Sequence, residues 1–397
     1  MNKKVKFGFL TYDLQSFAED CLYRIQENNP EIMLTAYPVI QHENQNLSRV
    51  NYKPSLQKGK YFGVSAEGGT PEGFASNINF SAAWACARES DVIVLFGIQG
   101  ITALLTVAFS TLLRKVVVSV NQTLPVEWES KRRWWIKLLK KIIFKKCLLH
   151  ISQSVASREV LTKIYEIPDA LIADAPFEAG ASLFRRKVDV IQKNEKHAFS
   201  RDEEETIFLF SGNLHPFKGV GTILEALAII DSNIRIRCFF AGPEANSKDF
   251  VGTTNYWIEL ARSLGVEDRV TFLGQLNFDQ LVSAYRSSDA VLLPTQKDCF
   301  PKVLVEAAIF SKPLISTSAC GATGTILIDK VNGFVINPND SIALATSMQM
   351  LLNKELRAEM GRQSKLIVDK ICNVDAENTG YKNAFGSVRQ FVEKNKL

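Results

Sequence analysis

The 397-residue sequence has few residues of the kinds that bind metals or form disulfide frameworks. It has seven cysteines, no two of them with Cys-x-x-Cys spacing, and only four histidines. A zinc site or a set of structural disulfides is therefore not expected, and a reducing cytoplasm is the natural compartment.

The charge balance is mild. There are 47 basic and 42 acidic residues, a net charge of +5, which does not by itself indicate a nucleic-acid partner. Hydrophobic residues make up 46% of the chain, enough for sizeable cores, and the length suggests two ordinary domains.

One long uncharged run, residues 92–113, allows two interpretations. It is long enough to span a bilayer. It also fits a buried strand over 92–96, a turn at Gly97–Gly100 and a packed helix to Leu113, and the glycines and the strand-like KVVVSV that follows favour this second interpretation. The N-terminal VKFGFL similarly predicts a first strand rather than a signal peptide.

Strand-like and helix-like patterns alternate along the whole chain, which predicts parallel sheets covered by helices. The charged stretch 185–206 is the best candidate for a linker, so we expect two α/β domains with a cleft between them. In such sheets ligands bind at the carboxyl ends of the strands. The predicted strands include VKFGFL, DVIVLF, KVVVSV, TIFLFSG, IRCFFAG, RVTFLG, AVLLPT and KPLISTS.

The second half opens with a strand, a glycine-containing loop and a helix, in FLFSGNLHPFKGVGTILEALAII. The strand ends at Ser211–Gly212, and Lys218 lies just before the helix. A lysine near a helix N-terminus offers positive charge to a phosphate. The alternative is a tight turn with a solvated lysine.

A second motif, DCFPKVLVEA, carries two acidic residues. Asp298 follows the strand AVLLPT, a helix is predicted to begin near Pro301, and Glu306 then lies about one turn inside that helix. Two carboxylates there can accept hydrogen bonds from sugar hydroxyls while helix amides hold phosphates. Both could instead be structural acids, but together with Lys218 they favour a binding site.

Four ordered motifs resemble the donor-binding domain of retaining GT-B glycosyltransferases of the family-four type: GNLHPFKG, DCFPKVLVEA, KPLISTSACGATG and VNGFVINPND. The resemblance covers roughly the last half of the chain. It implies an α/β, GT-B fold, in which two Rossmann-like domains have parallel sheets that face an interdomain cleft. The expected parts are an acceptor-binding domain (1–190), a linker (191–206), a nucleotide-sugar domain (207–375) and a C-terminal helix (376–397), with packing of that helix against the first domain as one option.

The resemblance also implies residue roles. Lys218 would contact the donor diphosphate, Asp298 the hydroxyls of the transferred sugar and Glu306 the ribose hydroxyls. The donor it implies is a nucleotide-diphosphate sugar, with the leaving diphosphate accepting the acceptor's proton in a front-face reaction that requires no metal and no resident cofactor. The other donor-binding residues that it implies are Gly212, Asn213, Glu244, Leu276, Cys299, Phe300, Pro301 and Val303.

Three positions depart from the family pattern. Its phosphate-binding arginine falls on Asn213, its acid after the late glycine loop on Gly324, and a histidine near the acceptor on Asn121. The leading hypothesis is a retaining hexosyltransferase that acts on a lipid-linked or membrane-associated glycan acceptor in surface polysaccharide synthesis. Asn213 and Gly324 keep open a catalytically weak partner subunit, and a sugar-nucleotide epimerase is a further alternative.

Residues 131–149 form a basic amphipathic segment with eight basic residues between 131 and 146. Such a helix can lie on an anionic membrane surface, here the cytoplasmic face of the cell membrane. The alternative is an ordinary helix with its charges in water. A helical wheel places Trp135, Leu138, Leu139, Ile142 and Leu149 on one face, and Arg133, Lys137, Lys140, Lys141 and Lys145 on the other.

Overall fold

The computed structural model describes residues 4–11, 16–39, 51–53, 78–98, 100–191, 204–246 and 251–395. The chain divides into two compact units, Met1–Phe177 with Val374–Leu397, and Glu178–Asn373. The division therefore lies at 178 rather than at 190. Most of the expected linker, residues 192–203, lies outside the described residues.

The first unit contains a six-stranded parallel sheet in the order β2-β1-β3-β4-β5-β6. Its strands are β1 (Val5–Thr11), β2 (Ile32–Pro38), β3 (Val92–Phe96), β4 (Val116–Asn121), β5 (Leu149–Ser152) and β6 (Ile172–Asp174). Its helices are α1 (Ser16–Asn28), α2 (Phe80–Glu89), α3 (Gly100–Leu112), α4 (Val126–Ser130), α5 (Trp134–Phe144), α6 (Val155–Lys163) and α14 (Val374–Asn395).

The second unit contains another six-stranded parallel sheet, in the order β11-β8-β7-β12-β13-β14, and a short β9-β10 hairpin. Its strands are β7 (Thr206–Ser211), β8 (Ile236–Ala241), β9 (Ala245–Asn246), β10 (Val251–Gly252), β11 (Val270–Gly274), β12 (Ala290–Leu293), β13 (Leu314–Thr317) and β14 (Gly333–Ile336). Its helices are α7 (Ala181–Ile191), α8 (Val220–Ile229), α9 (Thr254–Ser263), α10 (Phe278–Ser287), α11 (Lys302–Ile309), α12 (Ser341–Met350) and α13 (Lys354–Ile371).

Continuous apolar runs form these strands because a parallel sheet is covered on both faces. Every residue of β4, β7 and β12 is buried. The uncharged run 92–113 becomes β3, a turn and α3, as the second interpretation predicted. Among the described residues, no helix has the length and apolar character needed to cross a membrane.

Helix α14 completes the core of the first unit. The ring of Phe385 lies 5.0 Å from the ring of Phe7 and 5.9 Å from that of Phe9. At Gly380 an added Cβ would lie 2.5 Å from the Cα of Ala175, so only glycine lets the helix approach the strand end this closely. The helix therefore shares its apolar core with β1.

The predicted faces of the basic segment are wrong. In helix α5 the buried residues are Ile136, Lys140, Ile143 and Phe144, whereas Leu138 and Ile142 are exposed. Leu149 belongs to β5 rather than to the helix. The wheel placed Lys140 in water because it contains no information about a partner elsewhere in the chain.

That partner is Glu129, a fully buried residue of α4. Its carboxylate accepts hydrogen bonds from Lys140 Nζ (2.6 Å), Arg132 Nε (2.6 Å) and the Tyr165 hydroxyl (2.5 Å). Burial alone would raise the pKa of Glu129, but the two positive charges and the hydrogen bonds lower it to about 2. The network thus fixes α5 to the first unit through a buried, fully bonded carboxylate.

We expect Glu129→Gln to destabilise the protein by about 3–5 kcal/mol, because the buried Lys140 loses its counter-charge. The depressed pKa means that the carboxylate's contribution is complete above pH 4.5 and is lost as the pH falls toward 2. The free energy of unfolding of parent and variant, measured in urea, should therefore converge over this interval.

The matched control is Glu127→Gln, which breaks the exposed Glu127–Lys131 pair on the same helix. That change should cost less than about 1 kcal/mol. Equal effects of the two substitutions would contradict the role assigned to Glu129.

Candidate active site

The candidate site lies at the carboxyl ends of β7 and β12, two neighbouring strands of the second sheet. From β7 the chain passes through α8 to β8 on one side, whereas β12 pairs with β7 on the other. The order in which strands are added to the sheet therefore reverses at β7. At such a point the loops from the two strands turn apart and leave a crevice that can bind a ligand.

The loop after β7 depends on two glycines. At Gly242, which follows β8, an added Cβ would lie 1.9 Å from the carbonyl oxygen of Gly212. Gly219 has a φ of +88°, and its Cβ would lie 2.2 Å from the carbonyl oxygen of Pro294. Both backbones can approach this closely only without side chains, and Gly219 thereby sets Lys218 beside the loop that follows β12.

The loop after β12 holds Asp298 in a defined position. Its backbone N–H donates to the carbonyl of Ala319, and its own carbonyl accepts the N–H of Gly321 at 2.8 Å. Its Oδ1 accepts the N–H of Phe300 at 3.2 Å. Asp298 is therefore fixed to the loop after β13 and to the turn that leads into α11.

Lys218 and Asp298 form an ion pair. Lys218 Nζ lies 2.6 Å from Asp298 Oδ2, and the two side chains are 20% and 15% exposed. The N–H of Gln296 also donates to the carbonyl of Phe217 at 2.7 Å. The two loops are thus joined by an ion pair and by a backbone hydrogen bond.

A pocket of about 230 Å³ opens beside this ion pair. We call it the switch-point pocket. It brings together six of the residues expected in the site. Three lining residues were not expected: Ser211, Leu293 and Lys302. The expected ones are Gly212, Asn213, Lys218, Asp298, Pro301 and Val303.

Glu306 lies one turn further along α11 and is not among the residues that line the pocket. The hydroxyl of Tyr285 donates to its Oε2 at 2.8 Å. Burial raises the pKa of Glu306, whereas this hydrogen bond and the charge of Lys302 act in the opposite direction. The carboxylate is therefore held by the hydroxyl of Tyr285, a fully buried side chain.

Four other expected residues are not among those that line the pocket. Cys299 and Phe300 belong to the turn before α11, with Phe300 buried. Leu276 lies between β11 and α10. Glu244 accepts the N–H of Thr254 at 2.8 Å, which lowers the pKa of Glu244 and caps α9.

The other two positions that depart from the family pattern, Gly324 and Asn121, do not line the pocket either. Gly324 is an exposed residue with a φ of +80°. Asn121, in the first unit, is 2% exposed, and it donates to Ser119 Oγ at 2.9 Å and to the carbonyl of Ile151 at 3.3 Å. Its amide nitrogen therefore donates hydrogen bonds to other residues of the first unit.

Lys302 is the charged residue among the three lining residues that were not expected. Its place as the first residue of α11, directly after the proline cap, was the signal in the sequence that could have identified it. Within the ranges that the structure describes, no three His, Cys, Asp or Glu side chains cluster as metal ligands would.

Comparison with known proteins gives a family match in the second half of the chain. Residues 191–366 match the model of the family described as glycosyl transferases group 1. D-inositol 3-phosphate glycosyltransferase from Corynebacterium diphtheriae is 27% identical over 198 residues, 49% of this chain and 45% of that protein. The enzyme of the same name from Rhodococcus jostii is 31% identical over 38% of this chain and 34% of its own length. The chain thus spans less than half the length of these curated relatives.

Solved structures match over nearly the whole chain. Anabaena Alr3699/HepE, crystallised with UDP, has a TM-score of 0.69 at 16% identity and covers 97% of this chain and 100% of its own. The lipopolysaccharide outer core galactosyltransferase WaaB has a TM-score of 0.67 at 14% identity, with 96% and 99% covered. At these identities the likeness shows the fold, which confirms the GT-B prediction for both sheets.

We expect Tyr285→Phe to lower the free energy of unfolding by about 1–3 kcal/mol, because it removes a hydrogen bond to a buried carboxyl group. Urea unfolding measures the loss. The control is Tyr256→Phe, since Tyr256 is 47% exposed, and this change should have little effect. Parent-like stability of Tyr285→Phe would show that the bond to Glu306 contributes nothing.

Proposed function

We propose that the chain, whose residues 191–366 match the model of the glycosyl transferases group 1 family, transfers a hexose from a nucleotide-diphosphate sugar to a glycan acceptor. The observation that carries the proposal is the Lys218–Asp298 ion pair beside a pocket at the switch point of a parallel sheet. In this pocket a cation suited to the diphosphate lies beside a carboxylate suited to sugar hydroxyls.

The proposed donor lies with its diphosphate between Lys218 and the first turn of α11. A helix N-terminus favours negative charge through its amides and its dipole. Asp298 accepts hydrogen bonds from hydroxyls of the sugar, and Glu306 from those of the ribose. Since the neighbour Alr3699/HepE was crystallised with UDP, UDP-sugars come first among the donors to test.

The proposed reaction retains the configuration of the anomeric carbon. The bond from this carbon to the diphosphate oxygen breaks, and a bond to the acceptor hydroxyl forms on the same face. The hydroxyl proton passes to the departing diphosphate oxygen, so the products are the glycosylated acceptor and a nucleoside diphosphate. The protein's part is to stabilise the charge that develops on the diphosphate, and the proposal includes no metal.

The proposed acceptor is lipid-linked or membrane-associated, and the chain meets the cytoplasmic face of the membrane through α5. On this helix Trp134, Leu138 and Ile142 are 73%, 50% and 42% exposed. Their spacing of four residues places them on one stripe. The stripe is flanked by the exposed cations Arg133 and Lys145. An apolar stripe with cations beside it suits an anionic lipid surface.

Donor binding is tested by thermal unfolding with a panel of UDP- and GDP-sugars. A donor at 100 times its Kd should add about 2.7 kcal/mol of stability. Glu306→Gln keeps the shape of the side chain but removes its charge, and it should weaken donor binding about tenfold. The control, Glu355→Gln, changes an exposed glutamate of α13.

Slow hydrolysis of the bound donor, followed by proton NMR, identifies the anomer that is released first. Release of the α-anomer from an α-linked donor agrees with retention, and release of the β-anomer overturns it. Absence of stabilisation by every donor would contradict the transferase proposal and favour a partner subunit.

Membrane binding is tested by co-sedimentation with vesicles of phosphatidylserine and phosphatidylcholine. Leu138→Gln should reduce binding to anionic vesicles several-fold, because it removes apolar area from the stripe. High salt should weaken the binding that remains. The control is Phe391→Gln on α14, a residue that is 40% exposed. Helix α14 packs in the core cluster on one face of the first sheet, whereas α5 packs in the cluster on the other face. Parent-like binding of Leu138→Gln would exclude the stripe as the contact.

A further inference from the structure

Tyr285 is a buried residue of α10 whose hydroxyl reaches the candidate site. Its side chain is fully buried, and its hydroxyl donates to Glu306 Oε2 on α11 at 2.8 Å. Burial and the charge of Glu306 raise the pKa of Tyr285, whereas the hydroxyl of Ser211, which lines the switch-point pocket, lowers it. The resulting pKa is well above the ordinary value, so the Tyr285 hydroxyl keeps its proton and remains a hydrogen-bond donor to Glu306.

The two carboxylate oxygens of Glu306 have different surroundings. Oε2 accepts the Tyr285 hydroxyl, whereas no donor among the described residues lies within hydrogen-bond distance of Oε1. Oε1 is also not one of the buried side-chain oxygens that lack a partner, and Glu306 is half-buried. Oε1 is therefore the oxygen that a ligand can reach.

An aromatic cluster on three helices fixes the ring of Tyr285. This ring stacks on Phe310, at the end of α11, with centroids 5.4 Å apart and planes inclined by 13°. The Phe184 ring of α7 is nearly perpendicular to both, with its centroid 6.3 Å from that of Tyr285 and 6.0 Å from that of Phe310. Phe184 also contacts Phe278 of α10, at 5.3 Å. These contacts hold the Tyr285 ring, so its hydroxyl meets Glu306 from one direction.

A glutamate without such a partner has little directional preference. Its terminal torsion is broad, so either oxygen can face a ligand. A hydrogen bond to one oxygen removes this freedom before the ligand arrives, and a group that is already ordered loses less entropy on binding. Selectivity for a ligand hydroxyl then depends on the residue that holds the carboxylate as well as on the carboxylate itself.

We propose that Tyr285 is a positioning residue that makes the site selective for ribose: its hydroxyl holds Glu306 Oε2, so that Oε1 is presented to the ribose hydroxyls in one orientation. The inference rests on the proposed function, in which Glu306 is assigned to the ribose. It adds that the selectivity comes from a side chain that does not line the pocket, and that Phe184 and Phe310 support it.

The test is isothermal titration with UDP or GDP, whichever stabilises the parent more in the thermal panel, and with the 2′-deoxy and 3′-deoxy forms of that nucleotide. The parent should bind the ribose form at least about tenfold more tightly than one of the deoxy forms, because a hydrogen bond to a charged group is lost. Tyr285→Phe should reduce this preference below about threefold, through weaker binding of the ribose form alone.

Two further variants separate positioning from a loss of structure. In a Glu306→Gln background, Tyr285→Phe should change the preference no further, because residues that act through one contact are not additive. Phe184→Leu keeps the Tyr285 hydroxyl but removes the perpendicular ring, so it should lower the preference part of the way. A parent-like preference in Phe184→Leu would overturn the part assigned to α7.

The matched control is Tyr381→Phe, which removes the hydroxyl of a fully buried tyrosine of the first unit. That hydroxyl accepts a hydrogen bond from Gln153 Nε2 at 3.2 Å. The variant should lose stability, as Tyr285→Phe does, but keep the parent's preference for the ribose form.

Two outcomes overturn the inference and leave the proposed function intact. Equal binding of the ribose form and both deoxy forms by the parent would show that the site does not select ribose. An equal loss of affinity for all three in Tyr285→Phe would show that the residue only supports the fold. Failure of the parent to bind UDP and GDP would instead overturn the proposed function, and this inference with it.

Discussion

The contact between the loop after β7 and the loop after β12 is the constraint on which the candidate site depends. Each loop alone is only the segment that follows a strand. The Lys218–Asp298 ion pair and the hydrogen bond from the Gln296 N–H to the Phe217 carbonyl connect the two loops. Because Asp298 is also bonded to the loop after β13, three neighbouring strands hold one side of the pocket.

This arrangement follows from the sheet below it. Parallel strands place all their carboxyl ends at one edge, and the reversal of strand order beside β7 leaves room there. Gly219 and Gly242 then bring backbone against backbone. The buried strands thus supply rigidity, and the polar loops supply the groups that can contact a ligand.

The sequence was sufficient to predict the features that depend on local pattern. The strands before Gly212 and before Asp298 are continuous apolar runs, and Pro301 indicates the start of α11. Lys218 and Asp298 could be placed on the same edge because both follow strands of one parallel sheet. These inferences need only the periodicity of the chain and the rules for parallel sheets.

Features that depend on distant partners could not be read in this way. Lys140 is buried because Glu129, eleven residues earlier, neutralises it. Glu306 is held by Tyr285, which lies on another helix. Pro301 marks Lys302 as the start of a helix, but the pocket that Lys302 lines exists only after the loops from β7 and β12 have come together.

Helix α14 makes the first unit discontinuous in sequence. Its Tyr381, Phe385 and Val388 belong to the same core cluster as Phe7 and Phe9 of β1, yet the ribosome adds them only after the whole of the second unit. During synthesis the second unit can complete its own core while the first still lacks one of its covering helices. The first unit can therefore complete its core only after the second unit has been synthesised.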